Sequence, residues 1–146
     1  MASNMVQNPF LSKSGEGQIL VMSGLRLKVG SAQTNGAFEV VELEGPGSPP
    51  AHVHQNHDEC FYIIKGIYTF TLGIEEVEAP ADSLVFVPRG TPHAFKHSEG
   101  ARALAFVIPA NLEGFFRELG EGLAAGRSEA ELRATLAGKY DSWPVR

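Results

Sequence analysis

Cysteine is nearly absent from this 146-residue sequence: Cys60 stands alone, which excludes an intrachain disulfide and a cysteine-built zinc cage. Positive charge is scarce as well. Twelve Lys and Arg against 17 Asp and Glu give a formal net charge of -5, whereas binding a phosphate backbone needs clustered basic residues, so no nucleic-acid partner is expected. Long apolar runs are missing. The longest, Ala103 to Ile108, is far too short to span a bilayer, so no membrane partner is expected either. Met1 to Ser12 lacks a basic start followed by an apolar stretch, so no secretory signal is expected and the cytoplasm is the default location.

What is present is turn chemistry. Sixteen glycines and nine prolines punctuate short stretches with the strand period of two. Ile19 to Met22 is a short apolar run that suits a buried strand. Leu25, Leu27 and Val29 alternate with Arg26 and Lys28, and Phe38 to Leu43 alternates with Glu39 and Glu42. The Gly45 to Pro50 loop cannot continue a ladder. Further strands are expected at Glu59 to Lys65, Ile67 to Leu72, Ile74 to Glu78, Ser83 to Val87, His93 to Lys96 and Arg102 to Ile108. Many short strands at this spacing predict an all-β sandwich or barrel. After Pro109 the period changes. Leu112, Phe115, Phe116, Leu119 and Leu123 form a helical stripe with Asn111 as its N-cap, and Ser128 to Glu131 reads as a capping box opening a helix that Gly138 stops. The expected organisation is a flexible arm over 1–16, a barrel over 17–110 and a helical segment over 111–146 that covers the barrel.

All five histidines fall between His52 and His97. His52 and His54 sit two apart, which on a strand puts both imidazoles on one face with Cα atoms roughly 6.6 Å apart. Glu59 follows after a short turn and can return a carboxylate to that face. His93 opens a later strand. Three imidazoles and one carboxylate suit one divalent transition metal ion: iron, nickel, manganese, cobalt, copper or zinc. Four protein ligands leave a coordination position open, which is the mark of a catalytic rather than a structural centre. Phe61 shares its face with Glu59, and Phe95 shares its face with His93, so both are expected to wall a substrate pocket. Phe70, Phe86 and Phe106 are expected in the core, Tyr62 and Tyr68 in packing roles, Cys60 as a small buried hydrophobe, and His57 and His97 at the surface.

Two segments carry a family resemblance. His52-Val53-His54, then Glu59, then Gly66 resembles the first cupin motif, and Pro88-Arg89-Gly90-Thr91-Pro92-His93 resembles the second. Pro46 and Asp82 stand where the family has glycines, and His97 stands where it has an asparagine. The resemblance, strongest over residues 38–108, implies a double-stranded β-helix (jelly-roll) barrel with short C-terminal helices. It also implies His52, His54, Glu59 and His93 as metal ligands, and a homodimer. By the same resemblance, the expected activity is a metal-dependent dioxygenase acting on a small aromatic or enol-type substrate, as in quercetin-type dioxygenases. Glu59 would stay on the metal or serve as the general base. Two alternatives stand beside it: a redox-neutral metal-dependent isomerase, lyase or polyketide cyclase, and a small-molecule binding or sensing module without turnover.

Overall fold

The computed structural model describes residues 7–21 and 24–145; Asn4 of the expected arm and Met22 of the expected first strand lie outside them. Eleven strands and three helices follow in chain order among the described residues. They are β1 (Gln18–Val21), β2 (Leu25–Val29), α1 (Ser31–Thr34), β3 (Glu39–Glu44), β4 (His52–Val53), β5 (Asp58–Lys65), β6 (Ile67–Leu72), β7 (Glu75–Pro80), β8 (Leu84–Val87), β9 (His93–His97), β10 (Arg102–Ile108), α2 (Glu113–Ala124), α3 (Glu129–Tyr140) and β11 (Trp143–Pro144). One sheet runs β1-β2-β3-β10-β5-β8 and the other β11-β4-β9-β6-β7, with antiparallel neighbours throughout. Their inner faces meet over Phe61, Ile63, Tyr68, Phe70, Val85 and Ala103. This is a jelly-roll barrel, the architecture that the two motifs imply, built by strands that alternate inward and outward.

Strand β5 shows the alternation plainly. Glu59, Phe61 and Ile63 are buried, while Cys60 and Ile64 are half-buried and Tyr62 is exposed. The hairpin from β5 to β6 turns on Gly66 at φ 78°, and a Cβ there would lie 2.7 Å from the Ala101 Cβ. Only glycine meets both demands. Asp82, where the family has a glycine, takes the same left-handed backbone at φ 67°. Aspartate tolerates that region better than most residues, and its carboxylate accepts a bond from the Tyr62 hydroxyl at 2.9 Å.

Three local expectations give way to tertiary context. Phe86 is 56% exposed on the outer face of β8, beside Leu84, because β8 points its Val85 and Val87 inward instead. Gly138 does not stop α3, which runs on to Tyr140 and ends at Asp141 in the left-handed conformation, φ 55°. The N-cap of α2 is Leu112, which offers no side-chain oxygen. Its free N–H groups are served from afar: the buried Glu39 carboxylate on β3 accepts from the amides of Leu112 at 2.6 Å, Glu113 at 3.2 Å and Asn111 at 3.4 Å. Asn111 itself turns away and donates to the Tyr140 carbonyl at 2.6 Å, tying α2 to the end of α3. Phe115, Leu119, Leu132 and Leu136 form the packed seam between these helices and the barrel at Val107.

Candidate metal centre

The loop Gly45 to Pro50 delivers the chain to β4, where His52 pairs in register with His93 on β9. His54 lies just beyond β4, at the start of the turn into β5. Glu59 enters from the other sheet, on the inner face of β5. The four side chains thus come from both sheets, and each has a ligand-type atom within 4.8 Å of the others'. His54, Glu59 and His93 are buried, with His52 nearest to solvent. The loop that carries the second motif is clamped to the first. The Gly90 amide donates to the His54 carbonyl at 2.6 Å, and Arg89 reaches the Asp58 carboxylate through its backbone N–H at 2.8 Å and its guanidinium at 3.1 and 3.2 Å.

The tautomers follow from the neighbours. His52 Nδ1 lies 2.8 Å from the Pro50 carbonyl, His54 Nδ1 2.8 Å from the Asp141 carbonyl and His93 Nδ1 2.9 Å from the Thr91 carbonyl. A carbonyl oxygen only accepts, so each Nδ1 donates and each Nε2 keeps its lone pair when the ring is neutral. Those of His54 and His93 point at the carboxylate. Glu59 Oε2 lies 2.8 Å from His93 Nε2 and 3.3 Å from His54 Nε2. The buried His54 Nε2 has no hydrogen-bond partner of good geometry. Lone pairs this close repel unless positive charge lies among them. One proton serves one contact; a divalent cation serves all four donors at once, with the second-layer carbonyls already fixing the rings. The residues therefore fit a divalent transition metal.

Electrostatics without a metal show the same tension. Burial alone would push the Glu59 carboxyl up, but hydrogen bonds and charge from His54 and His93 hold it well below the usual carboxylate range. Burial, with the His93 charge, lowers His52 to about 3. His54 is raised: burial opposes its charge, but Glu59 and Asp141 more than offset it.

Beside the quartet opens a cavity of about 430 Å³. Phe61 and Phe95, expected as its walls, both line it, with ring centroids 5.7 Å apart. Tyr68, buried at the opposite end of β6 and β9 from His93, lines it too, as does His97, whose Nε2 lies 3.1 Å from the Gly47 carbonyl and whose Nδ1 lies 2.9 Å from that of Ser98. His57 departs from its expected solvated position. It is 1% exposed, with its ring centroid 4.0 Å from that of His54 and its Nδ1 3.2 Å from Asp141 Oδ2. Asp141 was not legible as a site residue. No spacing rule links it to His54, because 87 residues separate them.

Comparison with known proteins agrees with this fold. Residues 39–109 match the family described as the cupin domain. The chain is 31% identical over 118 residues to quercetin 2,3-dioxygenase of Bacillus subtilis, spanning 77% of this chain but only 35% of that protein. Among solved structures, KdgF from Halomonas sp. overlays with a TM-score of 0.58 at 16% identity, covering 71% of this chain and 94% of that one. Pac13 from Streptomyces, described as a nucleoside dehydratase, overlays with a TM-score of 0.57 at 21% identity, covering 70% and 84%. At these identities the two structures speak for the fold.

Proposed function

Given that this chain carries a cupin domain, we propose that it is a metal-dependent dioxygenase acting on a small aromatic or enol-type substrate. The observation that carries the reading is the set of three Nε2 lone pairs and one carboxylate converging beside an aromatic-walled cavity. The likeness to quercetin 2,3-dioxygenase supports the reaction class. His52, His54, Glu59 and His93 would hold the ion. When bound, a divalent metal supplies a Lewis acid and open coordination positions for an anionic substrate oxygen and for dioxygen.

The chain's own residues do the rest. Phe61 and Phe95 flank a flat ring and exclude water from it. Glu59 is the candidate base, since its Oε2 is the one carboxylate oxygen that faces both His54 and His93 and can accept a substrate hydroxyl proton there. The second reading, a redox-neutral lyase or isomerase, uses the same base and the same ion without dioxygen. It is favoured by the fold shared with the dehydratase Pac13. A homodimer in the cytoplasm belongs to the proposal; light scattering in solution tests the dimer.

Oxygen uptake with a panel of flavonols and catechols, using protein loaded with iron or nickel, is the test. Uptake that tracks substrate loss is expected. Turnover unchanged under strict anaerobiosis would replace the dioxygenase by the redox-neutral reading, and tight ligand binding by metal-free protein without turnover would leave a binding module.

A further inference from the structure

The end of α3 touches the metal quartet from behind, through Asp141. Asp141 uses its backbone and its side chain for different partners. Its carbonyl accepts the His54 Nδ1 proton at 2.8 Å. Its carboxylate accepts the backbone amides of Gln55 at 2.9 Å and Asn56 at 2.7 Å, and the Trp143 indole N–H at 3.1 Å. The two amides follow His54 directly in the chain, so one residue grips both the ring and the backbone of the His54 turn. Strand β11 secures the grip by pairing Trp143 with Val53 and Pro144 with His52. His57 fills the space between, its ring tilted 33° against that of His54 and buried with neither ring nitrogen in a well-formed hydrogen bond.

We propose that Asp141 is a positioning residue of the metal centre, and that metal occupancy and docking of the C-terminal segment are coupled through it. The inference rests on the quartet being a metal site. A ligand ring contributes to affinity in proportion to how well its lone pair is aimed before the ion arrives, and such outer contacts are worth about 10- to 100-fold in metal affinity. Coupling is reciprocal: whatever Asp141 adds to metal affinity, the metal adds to docking of Asp141 and the chain around it. The same helix carries Glu129 and Arg133 at the lining of the cavity, so the ion would also steady one wall of the substrate pocket.

Asp141→Gly separates the side chain from the backbone. Glycine takes the left-handed conformation of this position without strain, so the α3 terminus and its carbonyl to His54 persist while the carboxylate is lost. Zinc and cobalt(II) affinities are measured by chelator competition, the cobalt(II) visible spectrum reports ligand geometry, and amide exchange of residues 129–145 is followed with and without zinc. The variant is expected to lose about 10-fold or more in affinity, to change the cobalt(II) bands, and to lose the metal-dependent protection that the wild type shows. Asp141→Asn, which keeps one acceptor oxygen, is expected between the two. Wild-type affinity and an unchanged spectrum in Asp141→Gly would overturn the inference. Wild-type protein that takes up neither metal would overturn the metal reading itself. Should Asp141→Gly fail to fold, the Asn variant carries the test, and wild-type affinity, spectrum and protection there would count equally against the proposal.

Discussion

His54 is the residue on which proton and metal compete most directly. Its ring is raised above 6.5 by Glu59 and Asp141, whereas His52 is already free of protons down to about 3 and Glu59 is ionised far into acid. Metal affinity should therefore begin to fall at a pH above 6.5, losing about tenfold per pH unit as one proton displaces the ion at His54. Competition titrations across pH check this; a flat affinity from neutral to acid pH would contradict it. His52→Ala should lower affinity by at least about 100-fold, since a direct ligand is worth more than an outer partner. Equimolar metal in that variant, by elemental analysis, would remove His52 from the ligand set. The residue scale was the most legible in sequence. His-x-His and the returning glutamate share a face by local spacing, whereas His93 joins them through the resemblance of its Pro-x-Gly turn to the second cupin motif. His57 was not legible, because its burial comes from the ring of His54 and from Asp141, both fixed by the fold.

Elements show where local signals end. The strands were readable because alternation survives in β5, β6 and β10. The ends of α2 and α3 were not. Asn111 has the right chemistry for an N-cap, but Glu39, 73 residues earlier than Leu112, takes the role with both oxygens of its carboxyl group at the helix N-terminus. Truncation of Glu39 to alanine strands three amides at a buried helix start. A loss of about 2 kcal/mol in unfolding free energy is expected by urea denaturation, with Glu39→Gln losing less because it keeps an acceptor. Equal losses in the two variants would show that packing volume, not the hydrogen bonds, is what Glu39 supplies. The helix α3 passes Gly138 because Trp143 packs against that position, its Cζ2 and Cη2 4.0 and 3.5 Å from where a Cβ would sit. Tertiary packing there outweighs the glycine's helix-stopping tendency.

For the whole molecule, the buried histidines tie stability to pH in opposite directions. His52 and His57 are held at about 3 and about 4, below 6.5, so unfolding lets them take up protons. Stability of metal-free protein should fall as pH drops below 6.5, with a slope approaching two protons. His54 acts oppositely: its ion pair with Glu59 stabilises fully below 6.5 and is lost as pH rises through its raised value. Melting of chelator-treated protein should therefore peak near pH 6.5, and saturating metal should raise the melting temperature most at higher pH. A melting temperature that climbs steadily through the alkaline range without metal would refute this balance. The jelly roll as a whole was predictable from strand number, turn spacing and motif, whereas the pairing of β11 with β4 was not, since two residues carry no periodicity.

That last pairing has a consequence in time. The hydrogen bond from His54 to Asp141 closes a loop of 87 residues, among the largest closures the fold makes, and such contacts form late because chain entropy must first be spent on everything between them. On a ribosome, the barrel strands that carry His52, His54, Glu59 and His93 emerge well before Asp141 does. The nascent barrel would hold four ligands loosely aimed, and maturation of the centre would wait for Asp141 to arrive.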